Sequence, residues 1–171
     1  MELHSVCLGA SGGGVSTKII LLRHGEKPTD PSDEHLSSRG QSRAGALPAW
    51  LIGKYGKPVA IYGMRPGTKI HATFRPVETV QPLADACGLD VIQEYGYGQG
   101  KELAHEIITS YKSGVVVVAW IHAELQSIAK ALGIKSAPEW NGDYDNIWEI
   151  DLSSTRLTKV PQRLLFGDSR K

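Results

Sequence analysis

The sequence predicts a three-layer α/β/α sandwich, in which helices cover both faces of a mostly parallel central sheet. Short apolar runs, each the length of a buried strand, alternate with segments whose apolar residues recur at helical spacing. The clearest runs span residues 19–22 and 115–121, and the second is rich in β-branched side chains. Runs of this kind are typical of strands that are buried on both faces. The 171 residues suit one domain, and no repeat or linker divides them.

The predicted elements follow one another from residue 18 onward. Strands are predicted over residues 18–22, 59–62, 91–92 and 115–121, with a final antiparallel pair at 147–152 and 156–160. Helices are predicted after the N-cap residue Ser37, from Pro76 to Gly88, over 103–111 and over 123–132. Proline disrupts a helix interior, so Pro48 is expected to kink the first helix or end it early.

The chain divides into a short tail and one domain. Residues 9–17 are all Gly, Ala, Ser, Thr or Val, which predicts a flexible N-terminal tail over residues 1–17. The domain is expected to cover residues 18–171. Nothing in the sequence indicates a role for the tail.

Composition excludes several classes of protein. The net charge of +1 gives no bias toward nucleic acid or a membrane surface. No run approaches the roughly 18–20 apolar residues that span a bilayer, and no secretory signal is present, so a cytoplasmic location is expected. Cys7 and Cys87 lie too far apart for a disulfide framework or a metal-binding spacing. No metal or cofactor is predicted.

Basic side chains follow the predicted strands where ligands bind in such sheets, at the carboxyl ends. Arg23 and His24 follow the first strand, His122 follows the strand over 115–121, and Arg75 precedes a helix. The arginine fork suits two phosphate oxygens, and a neutral histidine nitrogen can attack phosphorus. The helix predicted from residue 123 adds N–H dipoles that favour an anion. The pattern therefore indicates a phosphate site.

These segments resemble the histidine phosphatase superfamily, which includes the cofactor-dependent phosphoglycerate mutases. The defining motif is similar to Leu22-Arg23-His24-Gly25-Glu26. Further similarity lies in three segments, Leu36-Ser37-Ser38-Arg39-Gly40, Arg75-Pro76-Val77-Glu78-Thr79 and Val117-Val118-Ala119-Trp120-Ile121-His122. The resemblance covers roughly residues 18 to 135 in the family's order, and implies a phosphoglycerate mutase-like fold.

The resemblance also implies site residues and an activity. His24 would be the nucleophile, and Arg23, Arg75 and His122 would bind the phosphoryl oxygens. The implied activity is metal-independent hydrolysis of a phosphomonoester, on a small molecule or a phosphoprotein, through a phosphohistidine intermediate. The chemistry agrees, because phosphoryl transfer depends mainly on positioning and positive charge.

Glu124 is the favoured candidate for the general acid, and Glu94 is the alternative carboxylate. Glu124, two residues after His122, resembles the arrangement in inositol polyphosphate phosphatases of the superfamily. Glu94 stands roughly where the mutase branch has its acid glutamate. A pocket without an acid is the third alternative. Lys27, Arg65 and His71 are candidates for the substrate entrance, although each could equally be solvated.

Two other functions compete with hydrolysis. A phosphoglycerate mutase would return the phosphoryl group to a bound substrate, but the mutases of the family are longer than this chain. A non-catalytic module that binds phosphorylated ligands would not need the nucleophile His24 or its companion His122. The sequence indicates neither the natural substrate nor the oligomeric state.

Overall fold

The structure, a computed structural model, describes residues 15–168 of the chain. Its strands are β1 (Thr17–Arg23), β2 (Ala60–Gly63), β3 (Gly114–Trp120), β4 (Asn146–Asp151) and β5 (Arg156–Pro161). Its helices are α1 (Ser38–Tyr55), α2 (Arg75–Cys87), α3 (Gly100–Ser110) and α4 (His122–Ala131). None of these helices is long and apolar enough to cross a membrane.

The five strands form one sheet in the order β2-β3-β1-β4-β5. β3 pairs in parallel with both β1 and β2, whereas β4 runs antiparallel to both β1 and β5. All strands except β4 therefore point the same way. The predicted α/β/α sandwich with a mostly parallel sheet is confirmed.

Alternate side chains of β1 enter two separate cores, as the pleat of a strand requires. Ile19 and Leu21 pack in the core beneath α3 and α4, while Ile20 and Leu22 pack in the core beneath α1 and α2. All four are buried. Because a hydrophobic core packs against β1 on each face of the sheet, the residues at the carboxyl end of β1 have a fixed position at the edge of the sheet.

Helix α1 does not end at Pro48. It runs for 18 residues with Pro48 inside, although proline cannot donate the N–H that would close the preceding turn. Leu47 and Leu51, on either side of it, are almost wholly buried against the sheet. Their packing stabilises the helix beyond the proline. The predicted N-cap is confirmed, since the Ser37 side chain accepts a hydrogen bond from Gly40 N.

The strand predicted over residues 91–92 is wrong. Only an isolated parallel bridge joins Ile92 to Tyr62, with Ile92 N donating to Ile61 O at 2.8 Å. The following residues Gln93 and Glu94 are exposed and leave the sheet. The neighbouring apolar residue, Val91, does not extend the bridge at Ile92 into a strand.

The ordered sheet begins one residue before the predicted domain. Thr17 is buried, pairs with Gly114, and donates through Oγ1 to Tyr111 O at 2.8 Å. Residues 1–14 of the predicted tail lie outside the described residues, as do residues 169–171 of the predicted domain.

The start of α1 packs directly on the segment after β1. A Cβ added at Gly40 would lie 2.6 Å from Glu26 O and 2.9 Å from Glu26 N. A Cβ at Gly25 would likewise lie 3.1 Å from Gly40 Cα. These two glycines allow helix and loop to touch backbone to backbone, which fixes the loop that carries His24.

Gly40→Ala is expected to lower the free energy of unfolding by about 1–3 kcal/mol, because the added methyl meets backbone that cannot move aside. Gly45→Ala is the matched control in the same helix. Among residues 15–168, no atom outside the helix's own backbone lies within 4 Å of a Cβ added at Gly45, so this change should stabilise by about 0.5–1 kcal/mol. Urea unfolding of both variants measures the difference. Equal effects from the two substitutions would contradict the close approach.

Candidate active site

A cleft of about 490 Å³ opens beside the carboxyl ends of β1 and β3. Five of the side chains proposed from the sequence line it: His24, Lys27, His71, Arg75 and His122. They come from the segment after β1, the segment between β2 and α2, and the beginnings of α2 and α4. The structure therefore brings together groups that lie up to about a hundred positions apart in the chain.

His24 has the tautomer that nucleophilic attack requires. The side chain is buried, and Nδ1 lies 2.7 Å from the carbonyl oxygen of Gly25. A carbonyl oxygen only accepts hydrogen bonds, so Nδ1 carries the proton and Nε2 keeps its lone pair. Burial lowers the pKa of His24 to about 3, helped by the charges of Arg23, Arg75 and Lys27 and opposed by the bond to Gly25. The imidazole is neutral at physiological pH.

We expect His24 to stay neutral from pH 8 down to pH 4. The unfolded chain takes up a proton near the ordinary pKa of 6.5, whereas the folded chain does so only near 3. The unfolded state then binds more protons, so the free energy of unfolding falls as the pH drops between these values. Long-range ¹H–¹⁵N correlation spectra should show protonated Nδ1 and bare Nε2 throughout. Titration of His24 near pH 6.5 would contradict its burial.

Arg23 is held from one side by the segment before β4. Its guanidinium carbon lies 3.9 Å from the centre of the Tyr144 ring, Nη2 donates to the Tyr144 hydroxyl at 3.2 Å, and Nη1 donates to Gly142 O. Arg23 does not line the cleft surface, yet its charge helps to lower the pKa of both His24 and His122. Its Nε is buried without a hydrogen-bond partner in the structure.

Arg75 connects the beginning of α2 to the segment after β1. Nη1 donates to Asp33 O at 2.6 Å, while Nε is buried and has no partner. Within α2, Thr79 Oγ1 donates to Arg75 O at 2.6 Å and accepts from Gly25 N at 2.8 Å. The backbone next to His24 is thus tied to the helix that presents Arg75.

Lys27 and His122 complete the positive field. Burial lowers the pKa of Lys27, and the charges of Arg75 and Arg23 lower it further. Burial, then Arg23 and Lys27, lowers the pKa of His122, whose Nδ1 is buried without a partner. The positive charges of Lys27, Arg75 and Arg23 repel one another, so a bound anion would be attracted by all three, and the neutral His122 could add a hydrogen bond. Across residues 15–168, no cluster of His, Cys, Asp or Glu side chains is arranged to hold a metal ion.

Comparison with known proteins finds no matching family model and no matching curated protein. Solved structures do match. The protein histidine phosphatase SixA, complexed with tungstate, superposes with a TM-score of 0.61 at 15% identity, over 85% of this chain and 97% of that one. Phosphoserine phosphatase from Entamoeba histolytica, complexed with 3-phosphoglyceric acid, gives 0.59 at 17% identity, over 87% and 100%. A mycobacterial glucosyl-3-phosphoglycerate phosphatase with inorganic phosphate gives 0.54 at 17%, over 84% and 95%.

This chain has the phosphoglycerate mutase-like fold. The fold expected from the resemblance is thereby confirmed.

Neither of the carboxylates that the sequence suggests as the general acid, Glu124 and Glu94, lines the cleft. Glu124 Oε1 accepts from Gly98 N at 2.8 Å, and its Oε2 accepts from the Trp120 indole N–H at 2.6 Å.

The other two residues proposed from the sequence lie together, away from the cleft. Glu94 is exposed, and its carbonyl oxygen accepts a hydrogen bond from Arg65 Nη1. Arg65 Nη2 donates to Gln99 Oε1 at 3.1 Å. Arg65 therefore joins the end of β2 to the segment before α3, and the structure brings neither residue to His24.

The entrance side of the cleft is formed by the segment between β2 and α2. His71 lines the cleft in a left-handed backbone conformation, with φ of 52°, and its ring centre lies 4.0 Å from that of Tyr97. Gly67 N donates to His71 O at 3.1 Å, which closes the turn around Lys69. Lys69 also lines the cleft. This turn adds two basic side chains, Lys69 and His71, to the cleft beside His24, Arg75 and His122.

Sequence reasoning missed several residues at the site, four of which have charged or aromatic side chains. Asp33, Glu34 and Lys69 line the cleft, and Tyr144 supports Arg23. Asp33 and Glu34 immediately precede the Leu36-Ser37 motif, which was an available signal. Tyr144 lies in an Asn-Gly-Asp segment that signals only a turn, and nothing in the sequence links it to Arg23.

Proposed function

We propose that this chain is a histidine phosphatase: a metal-independent phosphomonoesterase that transfers a phosphoryl group to His24 and then to water. The observation that carries the proposal is the state of His24. Its imidazole is buried, neutral and fixed through Nδ1 to Gly25 O, in a cleft lined by Arg75, Lys27 and His122. Such a group is a nucleophile surrounded by donors for a phosphoryl dianion.

The first step forms the phosphoenzyme. Nε2 of His24 attacks phosphorus, the Nε2–P bond forms, and the bond from phosphorus to the leaving oxygen breaks. Positive charge that develops on the imidazole is stabilised through the Nδ1–H bond to Gly25 O. Arg23, Arg75 and His122 hold the equatorial oxygens, where negative charge spreads in the transition state.

The second step returns the enzyme to its starting state. Water attacks phosphorus on the face that the leaving group vacated, an O–P bond forms, and the Nε2–P bond breaks. Inorganic phosphate departs with the oxygen of water, and His24 is again neutral because its environment disfavours the imidazolium. The cations of the cleft act in both steps.

Release of phosphate from p-nitrophenyl phosphate, with and without EDTA, tests the proposal. We expect turnover that EDTA does not reduce, because the side chains themselves supply the positive charge. The substrate panel should include phosphohistidine, phosphoserine and glucosyl-3-phosphoglycerate, the substrates named for proteins of the same fold. Binding of these compounds without release of phosphate from any of them would favour a phospho-ligand binding module.

A second incubation separates hydrolysis from mutase chemistry. With 3-phosphoglycerate and 2,3-bisphosphoglycerate, a hydrolase releases inorganic phosphate, whereas a mutase forms 2-phosphoglycerate with little phosphate release. We expect release, or no reaction if these compounds are not substrates. Isomerisation, followed by ³¹P NMR, would reject the hydrolase.

A further inference from the structure

The cleft contains a carboxylate wall opposite in charge to its phosphate-binding groups. Asp33 and Glu34 are the carboxylate residues that line it, within the part of the chain that the structure describes. Neither forms an ion pair with Arg75, Lys27 or the other cations of the cleft there. A carboxylate beside a phosphate dianion costs binding energy through repulsion, unless it carries a proton. The presence of Asp33 and Glu34 beside cationic side chains in the cleft therefore needs a chemical explanation.

Of the two carboxylate residues, Asp33 is the less exposed to solvent and has the side chain that is held by a hydrogen bond. It is half-buried, whereas Glu34 is exposed. Asp33 Oδ1 accepts from His35 N at 2.8 Å, and the backbone oxygen of the same residue accepts from Arg75 Nη1 at 2.6 Å. The carboxylate is thus fixed at Oδ1, on a residue whose backbone oxygen contacts Arg75, while Oδ2 accepts no hydrogen bond from any of residues 15–168.

The segment that carries Asp33 is itself held on both sides. Glu34 O accepts from Phe74 N at 3.1 Å and from Thr73 Oγ1 at 3.1 Å. Glu78 Oε2 accepts from Leu36 N at 2.9 Å. The segment is therefore fastened to the beginning of α2, so Asp33 keeps its position relative to Arg75 when a substrate enters.

We propose that Asp33 is the general acid of this site, which rests on the proposed phosphatase function. As the Nε2–P bond to His24 forms, the proton on Asp33 Oδ2 moves to the leaving oxygen and the product departs as an alcohol. In the second step the Asp33 carboxylate accepts a proton from the attacking water, and phosphate leaves as the Nε2–P bond breaks. The acid is then restored for the next cycle.

Asp33→Asn separates this role from a structural one. The Asn oxygen still accepts from His35 N, so the turn is kept, but the amide has no acidic proton to give. For an alkyl phosphate such as glycerol phosphate we expect kcat/KM to fall by about 10²–10⁴, the usual contribution of a general acid. For p-nitrophenyl phosphate, whose leaving group needs little protonation, the fall should stay below about tenfold.

Glu34→Gln and Glu124→Gln are the controls. Glu34 is the other carboxylate residue that lines the cleft, and Glu124 is the carboxylate residue that follows His122 at the beginning of α4. We expect both to keep the wild-type ratio of kcat/KM between the alkyl and aryl substrates. Equal losses on the two substrates in Asp33→Asn would overturn the proposal. So would a loss confined to the alkyl phosphate in either control, which would move the acid to that residue.

Failure of this inference is distinguishable from failure of the proposed function. In Asp33→Asn, acid-labile and alkali-stable phosphate should still accumulate on His24 when p-nitrophenyl phosphate is supplied. If the label forms and the alkyl phosphate is not selectively slowed, the phosphatase stands and Asp33 is not its acid. If wild type neither labels His24 nor releases phosphate, the phosphatase proposal itself is rejected, and the acid with it.

Discussion

His24→Asn is expected to reduce turnover by at least about a thousandfold, on the scale seen when a nucleophile is removed. Asparagine keeps an N–H near the position of Nδ1, so the bond to Gly25 O and the packing are largely retained. The nitrogen that would bind phosphorus is lost. Steady-state kinetics with p-nitrophenyl phosphate measure the change, and rapid quench into alkali, where phosphohistidine is stable, tests for loss of the labelled phosphoenzyme.

An exposed histidine provides the control for this variant. His105 lies on the outer side of α3 and does not line the cleft, so His105→Asn should behave as wild type. Retention of more than about a tenth of the rate in His24→Asn is a loss of under 1.4 kcal/mol, too small for a missing nucleophile. That result would reject His24 as the phosphorylated residue.

Arg23→Lys has the second largest expected effect, a fall in kcat of about 10²–10³. Lysine keeps the charge but loses the planar fork. A single ammonium cannot stack on Tyr144, donate to Gly142 O and also offer N–H groups to a phosphoryl oxygen. We expect weaker inhibition by vanadate and tungstate in parallel with the loss of kcat, because these oxyanions use the same donors.

Arg39→Lys is the matched control. Arg39 is exposed on α1 and pairs with Glu26 at 3.3 Å and with Asp168 at 3.1 Å, outside the cleft. Its replacement should leave kcat and oxyanion inhibition unchanged. Arg23→Lys with kcat within about tenfold of wild type would show that the fork of Arg23 does not act in the transition state.

The elements best predicted from the sequence are those buried on both faces. β3 consists wholly of apolar residues and glycine, and β1 contains the apolar run Ile19-Ile20-Leu21-Leu22; such short continuous runs are typical of strands buried on both faces. Their carboxyl ends then place Arg23 and His122 at one edge without further information. The early end allowed for at Pro48 is wrong because helix propensity is local, whereas the burial of Leu47 and Leu51 that stabilises α1 beyond the proline is tertiary.

The sequence does not identify the general acid either. The reason is the direction of the side chains, not the propensity that misled the prediction at Pro48. Glu124 stands two residues after His122, yet its side chain turns to Gly98 N and to the Trp120 indole instead of the cleft. Side-chain direction depends on such partners, which lie far away in the chain or on another element. The segment that carries Asp33 is likewise held by distant partners, among them Arg75, 42 positions later, which donates to the Asp33 backbone oxygen.

The turn that carries Lys69 and His71 is built separately from the floor of the cleft. Arg23, His24 and His122 belong to strand ends and a helix start, whereas this turn is closed by its own bond from Gly67 N and by the His71–Tyr97 ring contact. If the proposed function holds, we expect substitutions in this turn to change which phosphorylated compound binds while leaving His24 and Arg23 in place. The same independence makes this turn the place to graft loops when a new substrate preference is to be engineered.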